Sequence, residues 1–296
     1  MRIRATAAAV TVSGALALTA LAVPAQAADT TLAASAAKVT AGYKAAGHAT
    51  ARATTLAASS TEDEQVGDTA ISNVVVHGGK DVVLGISAKA NFKVTYTATD
   101  DSGIDNKSGW AVVYHGTDLD SSDMGALPNE AVDATVCKTV SATRSTCTLS
   151  FTVDPRTLYN KDAGSWKVWV GVQAKDYDYS VREKAKSYNT KRFSKLTTNA
   201  APEPVKKGKT LTVTGLLSRA NWDTSKYAGY TKQKVTLQFR KKSASTYSNV
   251  KTVTSDTKGN LKTTVKASAD GYFRYQFAGT STTPAVTSTS DFVDVR

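Results

Sequence analysis

From Val66 onward, hydrophobic and polar residues alternate in short runs with a period of two. Phe92, Val94, Tyr96 and Ala98 interleave with Lys93, Thr95 and Thr97, and Trp166, Val168, Val170 and Val172 interleave with Lys167, Trp169 and Gln173. Successive side chains of a β-strand point to opposite faces, so each run predicts a strand with one apolar face. The same texture predicts strands over 71–77, 81–85, 109–115, 132–139, 146–153 and 191–198. Turn residues at Asp154-Pro155 and Asp162-Ala163-Gly164-Ser165 separate neighbouring runs. Short alternating runs without intervening helical stripes point to an all-β sandwich rather than to βαβ units.

A second series follows Asn199-Ala200-Ala201-Pro202-Glu203-Pro204, whose prolines predict a short stiff linker over 200–208. Leu211, Val213, Gly215 and Leu217 alternate with threonines, and Val235, Leu237 and Phe239 with Thr236, Gln238 and Arg240. Further runs at 247–254, 261–265, 273–277 and 291–295 make about seven strands in about 95 residues, the size of an immunoglobulin-like sandwich. The expected fold is all-β: two tandem immunoglobulin-like β-sandwich domains, over 66–199 and 209–296.

The pattern before Val66 is different. Arg2 and Arg4 precede an apolar stretch, Ala5 to Val23, and Pro24-Ala25-Gln26-Ala27 ends in the small-x-small pattern of an export signal, so 1–27 is expected to be cleaved before Ala28. Residues 28–65 are low-complexity Ala and Thr; the alanines offer a helix around Ala33–Ala46, but the threonines, Gly42, Gly47 and the lack of a steady apolar stripe argue against it, and the segment is read as a flexible leader with too little apolar character to offset ordering entropy. These features predict a secreted chain that is extracellular or held non-covalently at the cell wall, with no membrane span after cleavage. In an oxidising compartment the two cysteines, Cys137 and Cys147, suggest one hairpin disulfide. Cys137 shares parity with polar Asp133, Thr135 and Thr139, whereas Cys147 shares it with Leu149 and Phe151, so a bulge or an edge location is needed.

Charge separates the two halves. Residues 66–200 carry 16 basic and 15 acidic side chains, whereas 201–296 carry 16 basic and 6 acidic, a net +10. Alternation projects Lys234, Arg240 and Lys242 from one strand, Lys262 and Lys266 from another and Arg274 from a third, predicting one positive sheet surface. The partner chemistry this implies outside a cell is an anionic cell-wall polymer or glycan rather than nucleic acid. The competing explanation is that an outward β-face needs charge for solubility. Trp222, Tyr227 and Tyr230 fall in a loop-like stretch beside Lys226 and Lys232, where they either stack on sugar rings or fold back to cap the sandwich. Asp118, Asp120 and Asp123 form an acidic run that suits a hard cation such as calcium, although the spacing fails the EF-hand pattern; an ordinary acidic turn is the alternative. Asp100-Asp101-Ser102-Gly103-Ile104-Asp105 and Asp176-Tyr177-Asp178-Tyr179 raise the same question.

No catalytic motif stands out: His48, His77 and His115 lack metal-ligand spacing along the chain, and no Gly-x-Ser-x-Gly or phosphate-binding glycine loop occurs. The expectation is a monomeric, non-enzymatic binding or structural protein without a cofactor. A calcium-binding module, an enzyme and an enzyme inhibitor are the alternatives.

The runs Val205-Lys206-Lys207-Gly208-Lys209, Ala220-Asn221-Trp222, Val235-Thr236-Leu237-Gln238-Phe239-Arg240-Lys241-Lys242 and Asp270-Gly271-Tyr272-Phe273-Arg274 carry a resemblance. They resemble a module of secreted actinobacterial proteins of uncharacterised function. The preceding domain, with its paired cysteines and Asp154-Pro155-Arg156 turn, resembles that module's usual partner. What the resemblance implies is tandem immunoglobulin-like domains, secretion and no enzymatic activity; it implies no catalytic residues.

Overall fold

The computed structural model describes residues 29–47 and 63–296; the export signal, 1–27, and most of the leader lie outside the described residues. The first element is a helix, α1 (Asp29–Gly47). Ten strands follow: β1 (Glu64–Val66), β2 (Ala70–Val76), β3 (Val82–Leu84), β4 (Ala90–Thr99), β5 (Trp110–His115), β6 (Met124–Ala126), β7 (Cys137–Ser141), β8 (Arg144–Val153), β9 (Gly164–Gln173) and β10 (Tyr179–Arg192). They form two sheets, ordered β2-β4-β8-β7 and β1-β10-β9-β5-β6, with β3 running parallel to the end of β10. Taking the principal strands in chain order, that is the A-B-E-D sheet facing the G-F-C-C′ sheet of an immunoglobulin-like sandwich.

The second set is β11 (Ser194–Leu196), β12 (Asn199–Ala201), β13 (Thr210–Asn221), β14 (Lys226–Gly229), β15 (Lys234–Lys241), β16 (Ser248–Thr254), β17 (Asn260–Lys266), β18 (Gly271–Phe277), β19 (Val286–Thr287) and β20 (Asp291–Val293). One sheet centres on β13, flanked by β11 and β12 on one side and by β17 and β14 on the other; its partner runs β16-β15-β18, with β19 and β20 beyond β18. The alternation read from the sequence fills the core between these sheets: Leu211, Val213, Leu217, Val235, Leu237, Phe273, Tyr275 and Phe277 are buried there. Cys137 and Cys147 stand directly opposite one another on β7 and β8 and form a disulfide. Both devices that the parity conflict demanded are present. A register shift separates Thr139 from Ser141, and β7 is the edge strand.

Two segments correct the sequence reading. Within the supposed flexible leader, 28–65, residues 29–47 form α1, which lies across the outer face of the β5–β9 sheet, and Glu64 and Gln65 already belong to β1, paired with Val181 and Ser180 of β10. Leu32, Ala36, Val39, Thr40 and Tyr43 recur at helical spacing and are buried. The small residues Ala36 and Thr40 let the helix sit close to the sheet, so its low hydrophobicity hides a continuous buried stripe. The Trp110 indole donates to Ser35 Oγ (3.2 Å), Gln173 Nε2 donates to the Tyr43 carbonyl (2.9 Å), and the Tyr43 hydroxyl bonds the Ser108 carbonyl. Covered from both sides, β5 is buried from Trp110 through Tyr114, and Trp169, expected on an outward face, is wholly buried.

The supposed linker over 200–208 begins inside the second sandwich: Asn199–Ala201 is β12, paired with Thr214, Val213 and Thr212 of β13. An Ala-Ala-Pro sequence shows no alternation, yet an edge strand is built from backbone bonds and tolerates proline where its pairing ends. The chain therefore passes from β10 to β11 through Phe193 alone. Around this passage Phe193 N–H donates to the Leu84 carbonyl (2.8 Å) and Ala220 N–H to the Phe193 carbonyl (2.8 Å). The buried Arg192 Nε donates to the Ala220 carbonyl (2.7 Å). Burial first, and then the neighbouring Arg219 charge, lower the Arg192 pKa to about 10.

Candidate functional site

On β15 the residues Val235, Leu237 and Phe239 face the core, which turns Lys234, Thr236, Gln238 and Arg240 to the opposite face. Registration of Gln238 with Arg274 and of Arg240 with Tyr272 brings side chains of β15 and β18 together on that face. The result is an alternating series of cations and rings. The Arg274 guanidinium lies 3.7 Å from the Tyr247 ring centroid, and Arg240 lies 5.3 Å from the same ring and 4.3 Å from Tyr272. Tyr272 packs on Phe292 with centroids 5.1 Å apart, and Lys242 Nζ is 5.5 Å from the Phe292 ring.

Hydrogen bonds brace this ladder. Arg274 Nε donates to Gln238 Oε1 (2.8 Å), and Gln238 Nε2 donates to Asn249 and Gln276 (2.9 Å each). Arg240 Nη1 donates to the Ala244 carbonyl (2.6 Å). Both guanidiniums are thus held by neutral oxygens, and their positive charge is not spent on these bonds. Burial raises the Tyr247 pKa, but its hydroxyl bond with Ser290 and the Arg240 and Arg274 charges outweigh that effect and hold it below the ordinary tyrosine value. Each exposed cation–ring contact contributes about 0.5–1 kcal/mol, and stacking fixes the rotamers that a ligand would otherwise have to freeze.

The six basic residues expected on one surface divide between two sheets. Lys234, Arg240, Lys242 and Arg274 belong to the ladder sheet. Lys262 and Lys266 lie on β17, paired with Thr214 and Thr210 of the other sheet, and Lys266 Nζ donates to Thr210 Oγ1 (3.1 Å). Parity gives each side chain's face within a strand but not the sheet to which the strand belongs. Tyr247, Tyr272 and Phe292 are the ladder residues that sequence reasoning passed over. Their signal is the matched alternation Gln238-x-Arg240-x-Lys242 and Tyr272-x-Arg274, visible only once the two strands are paired.

The aromatic stretch after β13 is not an open stacking platform. Trp222 is buried; its indole donates to the Gly85 carbonyl (2.9 Å) and its backbone N–H to Asn160 Oδ1 (3.0 Å), so it closes the junction between the sandwiches. Tyr227 sits beneath Lys195 (3.7 Å) and beside Phe193, and Tyr230 lies between Arg219 (3.8 Å) and Phe277. The stretch is a hairpin, β13–β14, and its rings serve the fold.

Nor does the acidic run gather its carboxylates. Asp118 Oδ1 accepts from Ser121 N–H (2.7 Å), an ordinary turn bond. Asp123 instead meets His115 Nδ1 and Lys161 Nζ, each at 2.6 Å, while Asp120 is exposed. Carboxylates converge elsewhere in the first sandwich, where Asp100 groups with Asp68 and Asp101 and with Asp176 and Asp178. Asp100 is itself satisfied, accepting from Thr69 Oγ1 (2.6 Å) and from Ser102 N–H and Oγ (2.8 and 2.5 Å).

The profile of a family of unknown function (DUF5707) matches residues 85–172, within the first sandwich. No curated protein matches the sequence. Among solved structures, the teleost fish polymeric Ig receptor ectodomain is similar over 75% of this chain and 96% of its own, at 13% identity and a TM-score of 0.26. Domains A168–A170 of titin are similar over 79% of this chain and 68% of theirs, at 12% identity and a TM-score of 0.25. The three N-terminal domains of the outer capsid protein Hoc of bacteriophage RB49 are similar over 77% of this chain and 71% of theirs, at 10% identity and a TM-score of 0.30. The sandwich assignment rests on the strand pairing described above. No helix among the described residues is long and apolar enough to cross a membrane.

Proposed function

We propose that this is a secreted, non-enzymatic binding protein of the bacterial extracellular or wall layer that adheres to anionic wall polymer or acidic glycan through its second sandwich. The observation that carries the reading is the ladder of Arg240, Arg274 and Lys242 on Tyr247, Tyr272 and Phe292. Rigid, ring-mounted guanidiniums present fork-shaped donors to phosphate or carboxylate, and the intervening rings add apolar surface for sugar. The net +10 of residues 201–296 supplies the long-range attraction.

The test is retention of the purified chain on isolated wall sacculi, before and after anionic polymer is stripped, over about 0.05–0.5 M salt, the range in which exposed charges become screened. Retention is expected to fall with salt and with stripping. Replacing Arg240 and Arg274 by Gln should release the protein at lower salt, whereas replacing Lys262 and Lys266 by Gln should change little. Equal loss from both pairs would reduce the effect to net charge, and undiminished retention in the arginine variant would end the reading.

A further inference from the structure

A second site lies on the first sandwich, away from the ladder. His115 ends β5, Asp123 immediately precedes β6, and Asp162 closes a short 3₁₀ turn before β9. One ligand atom from each of these residues lies within 4.8 Å of the other two. They are 47 positions apart at the extremes, which is why no motif shows in the sequence.

Asp162 gives the cluster its meaning. Its side chain is wholly buried, Oδ2 accepts the Tyr159 N–H (2.6 Å), and Oδ1 has no hydrogen-bond donor. The positive charge nearest that oxygen among its ion pairs is the Lys161 ammonium, 3.8 Å away, which is itself drawn to Asp123 Oδ2 at 2.6 Å. A buried carboxylate oxygen without a donor is costly, and a cation bound directly to it removes the cost. The remaining groups suit such an ion: an imidazole at 2.6 Å from a second carboxylate, backed by the Trp166 ring, with the Trp166 indole donating to the Asp162 carbonyl (2.7 Å) and fixing that turn.

We propose that His115, Asp123 and Asp162 form a binding site for a divalent first-row transition metal, zinc in the first instance, in competition with the Lys161 ammonium. One imidazole and two carboxylates are a nitrogen–oxygen donor set that zinc accepts, with water completing four-coordination. Ligand atoms around one zinc stand about 3.4 Å apart when bonds are about 2.0–2.1 Å, so separations at the 4.8 Å limit must close by up to about 1.4 Å while the 2.6 Å His115–Asp123 pair opens by a little under 1 Å. Lys161, whose side chain is 62% exposed, leaves by rotating into solvent.

The test is zinc titration of the chelator-treated full chain by calorimetry and by competition with a chromophoric chelator, with cobalt as a spectroscopic substitute. One ion per chain is expected. His115→Ala, a change at a half-buried position, should weaken binding at least tenfold, while His77→Ala leaves it unchanged. Lys161→Ala should tighten it, because the competing charge is gone. Asp162→Asn risks the turn, so His115→Ala and Lys161→Ala, each checked by a thermal melt, keep the proposal decidable. No stoichiometric uptake by the wild type, or uptake indifferent to His115→Ala, would overturn it.

Discussion

Trp222 belongs by sequence to the second sandwich and by packing to the first, where it is 3% exposed. Replacing it with Ala removes the bulkiest side chain at the junction and orphans the Gly85 carbonyl that its indole holds. Truncating a buried Trp costs about 3–5 kcal/mol, and the lost hydrogen bond accounts for about 1 kcal/mol of that, because Gly85 is partly accessible and water can replace the donor. The cost has a ceiling: once it exceeds the free energy that holds the sandwiches together, the junction opens and the cores survive separately. The expected result in calorimetry and urea unfolding is therefore loss of coupling. The transitions of the two sandwiches separate, and the lower one moves down by at least about 10 °C, given about 4–8 °C per kcal/mol for a separately unfolding domain of about 100 residues. Trp222→Phe, which keeps part of the apolar surface but loses the N–H and one ring's worth of packing, should cost less than the alanine change, about 1–3 kcal/mol, and preserve coupling. A Trp222→Ala protein within about 1 kcal/mol of wild type, with unchanged cooperativity, would refute the argument, because a core aromatic cannot be deleted that cheaply.

Three further outcomes are expected. Tyr43→Ala should undock α1, destabilise the first sandwich by up to about 3–5 kcal/mol and expose Trp169 and Trp110 to quencher; unchanged quenching would contradict the helix's role as a cover. Removing both cysteines should cost about 2–5 kcal/mol in denaturant midpoint measurements, and an unaffected midpoint would show that the β7–β8 edge holds without the bridge. Burial pushes the Tyr275 hydroxyl up to about 12 and raises Tyr43, Tyr96 and Tyr188 as well. Their folded-state pKa values exceed the unfolded value of about 10, so this stabilisation is complete below pH 10 and declines above it. The loss is about 1.4 kcal/mol per pH unit for each tyrosine that ionises only when unfolded. Denaturant melts with tyrosinate absorbance across pH 9–12 check the sign; stability that rises over this window would refute it.

The parts of the fold that could be read from the chain are those where parity alone decides burial. Phe92, Val94, Tyr96 and Ala98, and likewise Val235 and Leu237, sit in the cores as their alternation requires. Parity failed where a third layer was added: nothing in Lys167-Val168-Trp169 tells that a helix from far upstream will cover Trp169. It also failed at β10, which runs through Arg182-Glu183-Lys184-Ala185-Lys186. A register shift between Arg182 and Lys186 interrupts the ladder there, and Glu183 turns in to accept the Leu119 N–H (2.7 Å). The ladder and the His115 cluster share one obstacle. Each is assembled from side chains on separate elements, so the residue types are visible in the sequence while their juxtaposition depends on pairing and loop closure.

The single-residue passage at Phe193 bears on valency. With Trp222 and Asn160 clasping the junction and β10 leading directly into β11, any groups bound on the two sandwiches are held at one preset spacing rather than over a searching range. A ligand with two groups that match that spacing would gain its second contact at high effective concentration, while one that does not match would have to bend or bind singly. Selection among chemically similar ligands of that kind would then fall to their length and stiffness, properties that no individual side chain of the protein measures.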